Sequence, residues 1–357
     1  MKPPNFLVIN PFGIGDCLFT TPVVRAIKSA HPQSFVGYWC NERVAELFRD
    51  NPDINRVFAL SRGDLKKISR DSKLQGARVF LDLLWQIKNG KFDIAFDFSL
   101  DHRYSLFTKF LGIKRRIGFN FRNRGRFLTD RIDTEGFEHR HIVEHYLSLL
   151  KFVNIVAGER KLSLFISDDA ARQAAKLLAD LGINESEPVV AMAPGAGASW
   201  GKDAKFKHWP AQRFAQVADR IIREYNIKVV ILGDASERPI AQDIAAAAAH
   251  KLINLTGLTG IMQLAAVIKR SRLLITNDGG PLHIGVAAGT RTVSIFGPVD
   301  EKVYGPYPPS EEHIVIKSGV ECRPCYRKFK ISVCSIDREC LNSITSDKVF
   351  DAVRRLL

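Results

Sequence analysis

Read as a string of apolar and polar positions, the chain shows short apolar runs separated by stretches whose apolar residues recur at helical spacing. In the first half, FLVI (Phe6 to Ile9) leads through a glycine-bearing turn into a helix-like TPVVRAIKSAHP. FVGYWC, a helix around VAELFRD, VFAL and FDIAFDFS follow. The second half repeats the pattern more clearly. VVAMAPG reads as a buried strand ending in Pro-Gly, AQRFAQVADRIIREY as a helix and KVVILGD as a strand. PIAQDIAAAAAH and MQLAAVIKRS read as helices, RLLITND as a strand, PLHIGVAAG as a helix closed by Gly289, and TVSIFG as the last strand. Strand-type runs alternating with helices of about 10 to 15 residues predict parallel sheets with helices on both faces.

Two such series in 357 residues predict an α/β protein with two doubly wound, Rossmann-like domains, since the chain is longer than one ordinary domain. The helix pattern HIVEHYLSLLKF closes the first series, and the boundary falls near FVNIVAGERKLSLFIS. Domains of residues 1–165 and 166–357 are expected to face each other across a cleft, each with its ligand crevice at the carboxyl ends of its strands.

Composition narrows the class. With 46% hydrophobic and 25% charged residues the chain is of the globular type, and no apolar stretch reaches the ~18 to 20 residues that span a bilayer. The opening MKPPNFLVINPFGIGD has too short an apolar run for a signal peptide, so a cytoplasmic protein is expected. The formal net charge of +14 points to anionic partners. Between Asp101 and Arg131 stand Arg103, Lys109, Lys114, Arg115, Arg116, Arg122, Arg124, Arg126 and Arg131, opposed only by Asp101 and Asp130. This is either a solvated basic face or a surface for phosphate and carboxylate groups, which the arginine fork suits. No zinc-finger spacing, RNP-type motif or basic heptad supports nucleic acid as the partner.

Of six cysteines, Cys17 and Cys40 read as buried small hydrophobes. Cys322, Cys325, Cys334 and Cys340 crowd one segment. In a cytosolic chain such a cluster reads as a structural zinc or iron site before it reads as disulfides, with reduced thiols or a redox pair as alternatives. Four thiolates would close the coordination shell, which argues against catalysis there.

The chemistry is expected in the loops. NPFGIGDCLFTTP has Gly13 and Gly15 but Leu18 where a dinucleotide fingerprint needs a third glycine, and its Asp16 would repel a pyrophosphate. P-loop chemistry is excluded because no Gly-Lys-Ser/Thr follows. Asp16 therefore reads either as a helix N-cap or as a general base. In TNDGGPLHIGVAAG, Asp278, Gly279 and Gly280 follow a buried strand, Pro281 sits at the expected first helical position, and His283 lies in the first turn. The glycines allow close backbone approach, and the helix mouth is a ready anion site. PGAGASWGKDAKFKHWP supplies a second glycine-bearing loop with Ser199, Lys205 and Lys207, and GDASER places Glu237 after a third strand. Together these make a nucleotide-diphosphate pocket.

These segments resemble glycosyltransferase family 9, the ADP-heptose:lipopolysaccharide heptosyltransferases. The resemblance runs through GIGDCLFTTPVVRAIKSAHP, KRRIGF, KHWP and NDGGPLHIGVAAGTRTVSIFGPVDEKVYGPYPP. It implies a GT-B fold, an ADP-sugar donor on the second domain, an acceptor on the first, and inverting transfer that requires no metal or other cofactor. It further implies that Asp16 deprotonates the acceptor hydroxyl and that Lys207 steadies the departing diphosphate. Asp278, Gly280 and His283 match the D-x-G-x-x-H donor motif, with Gly279 inside it. Glu237 is similar to the glutamate on the ribose, and Leu258 falls beside the adenine. His141 and Arg116 fall where the family holds its anionic acceptor core, with Gly15, Arg122 and Arg124 on the same side. The implied acceptor is a lipopolysaccharide core at the inner membrane leaflet. A protein-glycosylating branch of the family carries a four-cysteine metal finger, so a protein hydroxyl is the rival acceptor. A different nucleotide sugar and a non-catalytic sugar-nucleotide-binding role are the other rivals.

Overall fold

Strands β1 (Phe6–Ile9), β2 (Val36–Cys40) and β4 (Ile94–Asp97) are buried at every position. That is why they read as unbroken apolar runs rather than as alternating ones. The computed structural model describes residues 3–60 and 62–357, and the chain divides into two units, residues 1–165 and 166–357. With β3 (Arg56–Ala59), β5 (Arg115–Phe121) and β6 (Asp130–Thr134), the first unit builds a parallel sheet in the order β3-β2-β1-β4-β5-β6.

The second unit contains β7 (Val189–Ala193), β8 (Lys228–Ile231), β9 (Ile253–Asn254), β10 (Leu273–Asn277), β11 (Arg291–Phe296) and β12 (His313–Lys317). They pair in parallel in the order β12-β11-β10-β7-β8-β9. Counted from its own first strand, each sheet has the doubly wound order 3-2-1-4-5-6. The winding direction therefore reverses between β1 and β4 and again between β7 and β10, and crevices for ligands open at the carboxyl ends of those strands.

Helices cover the sheets through single apolar stripes. Residues Ala211–Tyr225 bury Phe214, Ala215, Val217, Ala218 and Ile221 and end at Asn226 in the left-handed conformation (φ 54°). Residues Ser346–Leu356 are capped by the Thr345 hydroxyl, which accepts from the Lys348 N–H at 3.2 Å. Their Phe350 lies 3.7 Å from the Arg220 guanidinium, ring centroid to carbon.

The structure corrects several expectations. The helix expected over HIVEHYLSLLKF is a short one, Ile142–Leu147, continued by a 3₁₀ turn, Ser148–Val153. The Ser148 hydroxyl donates to the His145 carbonyl at 2.6 Å, a local bond that competes with the helical ladder. TVSIFG is not the last strand, because HIVIK adds β12. Residues Arg62–Asp71 and Lys73–Asn89 form two helices where no element was expected. The basic segment holds the helix His102–Phe110 and strand β5, which opens on Arg115 and Arg116 before its apolar residues.

Asp97, at the end of β4, is buried and accepts from the Ser99 N–H at 2.9 Å and the Ser99 hydroxyl at 2.5 Å. Burial pushes its carboxyl up to about 6, against the lowering effect of those bonds. Ionisation of Asp97 is therefore harder in the folded chain than in the unfolded one, and stability is lost as pH rises through the range from about 4 to about 6. Asp97→Asn keeps the acceptor oxygen without the charge. Relative to wild type it should gain up to about 3 kcal/mol between about pH 4 and about pH 7 in urea denaturation. A difference independent of pH would contradict this.

Candidate functional site

In the second unit, the loops after β7 and β10 meet at the reversal of the winding. The Asn277 amide donates to the Pro194 carbonyl at 2.5 Å, and its oxygen accepts from the Trp209 N–H at 3.3 Å, with all three groups buried. Above this anchor the Lys207 ammonium lies 2.7 Å from the Asp278 carboxylate, both side chains about 5% exposed. The same ammonium stands 4.0 Å from the centroid of the Trp200 ring. A carboxylate and an aromatic face thus fix the cation at the crevice.

Next to Asp278 the helix Gly280–Ala288 begins. Gly279 is its N-cap in extended conformation and has no side chain to cap it. Pro281 is the second helical residue rather than the first, and His283, in the first turn, is buried. A Cβ on Gly279 would meet Ala196 at an ordinary 3.5 Å, so the protein itself does not require glycine there.

Glu237 bridges two loops. One carboxylate oxygen accepts from the Gly197 N–H and the other from the Asp234 N–H, both at 3.0 Å. Burial raises its pKa, opposed by these backbone bonds. A Cβ on Gly195 would lie 1.7 Å from the carboxylate, which explains the glycine in PGAG. The side chain also lines an open cavity of about 910 Å³ with Gly197, Lys205, His208, Ser236 and Arg338. Lys205 is exposed with its ammonium 5.3 Å from the Phe206 ring centroid. Leu258 is exposed beyond β9. The side chain of Ser199 lies outside the described residues.

In the first unit, the loop after β1 carries Gly15 and Asp16 in a five-residue helix, Ile14–Leu18. Asp16 is not its N-cap. Gly13 holds that place without a side-chain bond, and Asp16 is the third helical residue, half-buried. The loop is fixed by buried asparagines that the sequence reading passed over. Asn10 donates to the Asp16 carbonyl at 2.8 Å and accepts from the Phe12 N–H at 3.2 Å, and Asn41 donates to the Pro11 and Phe12 carbonyls. Their signal was a polar residue directly abutting an apolar strand, in FLVIN and GYWCN. His141 comes close to this helix: its ring meets Phe19 edge-on at 5.2 Å. Its Nδ1 accepts from the Val143 N–H and caps the helix Ile142–Leu147.

The arginines divide. Arg116 donates to the carbonyls of Phe127 (2.7 Å), Ile113 (2.5 Å) and Lys114 (3.2 Å), so its guanidinium pins the chain on both sides of β5. Arg122 and Arg124 are exposed and flank the Phe121 ring at 4.9 and 5.9 Å.

All four clustered cysteines are free thiols, from exposed Cys322 through Cys325 and Cys334 to buried Cys340. Burial, then the neighbouring thiols, push Cys340 up to about 11. Among the described residues, no three His, Cys, Asp or Glu side chains are placed to hold a metal ion.

The model of glycosyltransferase family 9 (heptosyltransferase) matches residues 80–334. The chain belongs to that family. Among relatives of this glycosyltransferase, lipooligosaccharide heptosyltransferase 2 of Campylobacter jejuni subsp. jejuni serotype O:6 is 24% identical over 351 residues, covering 97% of both chains. The crystal structure of the family 9 glycosyl transferase from Veillonella parvula DSM 2008 matches with a TM-score of 0.81 at 24% identity, over 100% of this chain and 98% of that one. The E. coli ADP-heptose lps heptosyltransferase II matches with a TM-score of 0.75 at 22% identity, over 99% and 98%. The enzyme therefore has the GT-B fold, with its two parallel six-stranded sheets.

Proposed function

We propose that the enzyme transfers heptose from ADP-heptose to a hydroxyl of the lipopolysaccharide inner core, with inversion at the anomeric carbon. The observation that carries the donor half is the Lys207–Asp278 pair, held buried at 2.7 Å beside an uncapped helix mouth. A diphosphate leaving group needs fixed positive charge and backbone N–H groups where its own charge develops. Lys207 supplies the first and the start of Gly280–Ala288 the second. Asp278, Gly279, Gly280 and His283 shape this donor end, while Glu237 and Leu258 take the ribose and adenine.

On the first unit Asp16 removes the proton of the acceptor hydroxyl as it attacks. His141 and Gly15 line that approach. The exposed Arg122 and Arg124 meet carboxylates and phosphates of the core, and Arg116 holds their turn in place. The inner face of the cytoplasmic membrane presents this acceptor. The relatives' names support heptose, ADP and lipopolysaccharide or lipooligosaccharide as the substrate classes.

Gly195→Ala tests the donor geometry, since the added methyl displaces the Glu237 carboxylate. Affinity for ADP-heptose should fall by about tenfold or more in titration calorimetry, and unchanged affinity would remove Glu237 from the donor site. The whole reading is tested by mass spectrometry after incubation with ADP-heptose and a panel of truncated cores. A gain of one heptose on a core supports it. Slow donor hydrolysis with no modified core would redirect the search to protein acceptors, and no reaction of any kind would mean another sugar nucleotide.

A further inference from the structure

The helix Lys73–Asn89 is apolar on two faces. Its inner face supplies Leu83 and Ile87, both buried in the core with Phe58 and Phe92, and Val79 and Phe80 pack beside them. Its outer face carries Leu74, Leu81 and Trp85, exposed to 83%, 64% and 66%. These three positions are spaced by seven and four residues, so they form one line about 16 Å long at 1.5 Å per residue. The exposed Arg78 and Lys88 flank this line. A solvated helix face is ordinarily polar, and an apolar line there marks a surface that leaves water in use.

The surroundings select the occupant. Residues 62–91 contain eight lysines and arginines against three aspartates. Lys66, Lys67 and Arg70, on the preceding helix, are exposed beside this one, as is Lys73 at its start. An apolar line within a basic rim matches the boundary layer of an anionic bilayer. Leucine and tryptophan enter at headgroup depth, while long basic side chains reach back to the phosphates. We propose that the outer face of Lys73–Asn89 docks the enzyme on an anionic phospholipid surface. The inference deepens the reading of a membrane-borne acceptor, and it places the lipid contact on this helix rather than on the arginine turn at 122–126.

Vesicles without any sugar test it, so its failure is distinct from a failure of the transfer reaction. The full chain is mixed with phosphatidylglycerol/phosphatidylethanolamine vesicles, with pure phosphatidylcholine vesicles as the comparison. Wild type should co-sediment with the anionic vesicles only, and its tryptophan emission should shift to the blue. Trp85→Phe should remove the shift while leaving most of the binding. Leu74→Ser/Leu81→Ser/Trp85→Ser should lower vesicle affinity at least tenfold, with unchanged circular dichroism and unchanged transfer to a soluble, acyl-free core. Undiminished vesicle binding by the folded triple variant would overturn the proposal. So would a dimer in wild type that the triple variant converts to monomer without loss of vesicle binding, since the line would then be a contact between copies. If instead no variant transfers sugar to the soluble core, yet vesicle binding follows the expected order, the docking surface stands and the transfer reading falls.

Discussion

Asp16→Asn should lower the turnover of heptose transfer by ~10²- to 10⁴-fold, or about 3 to 5.5 kcal/mol of barrier, with donor affinity essentially unchanged. The substitution is nearly isosteric, and the asparagines that fix this loop hold its main chain. Asn10 reaches the main-chain carbonyl of Asp16, and Asn41 holds the carbonyls of Pro11 and Phe12. Removing the negative charge should therefore take away proton acceptance and leave the loop in place. Single-turnover transfer and ADP-heptose titration on the same sample separate the two quantities. A variant with wild-type turnover, or one that loses donor affinity in step with turnover, would rule Asp16 out as the base.

The second large effect is expected at Lys207, and it has two components that must be separated. Lys207→Ala strands the Asp278 carboxylate in a position about 5% exposed. Removal of one partner of a buried pair costs about 3 to 5 kcal/mol of stability. It also removes the cation proposed to steady the leaving diphosphate, for which a loss of about 10²- to 10³-fold in turnover is expected. Lys207→Met/Asp278→Asn retains the volume without either charge. Thermal unfolding of the double variant should return most of the way to wild type, whereas transfer should remain as slow as in the single variant. Near-normal turnover in the double variant would show that the pair serves folding alone.

What could be read from the chain follows from where its signals are local. Strand β10 was legible because LLITN is buried throughout, and the helix Ala211–Tyr225 because its apolar residues fall on one stripe. The helix Lys73–Asn89 was missed for the opposite reason: Leu74, Leu81 and Trp85 on its outer face blur the stripe formed by Leu83 and Ile87. In the crevice of the second unit the residue types of Lys207 and Asp278 were legible, but not their mutual ion pair, which joins two separate loops. Arg116 shows a further limit. Its charge suggested an anion partner, whereas three backbone carbonyls occupy it, and carbonyls leave no mark on side-chain sequence.

The self-contained sheets bear on how the chain is made. Every strand of the first sheet lies within residues 6–134, and no strand of the second begins before Val189. The remainder of the first unit folds back onto its own beginning: the Ser163 N–H donates to the Thr21 hydroxyl, and Glu159 pairs with Arg25. All strand partners of the first sheet are thus synthesised before the second sheet starts. That sheet can complete its strand pairing on the ribosome while the second unit is still being translated, so a product truncated after the first unit would keep all of that sheet's strand pairs.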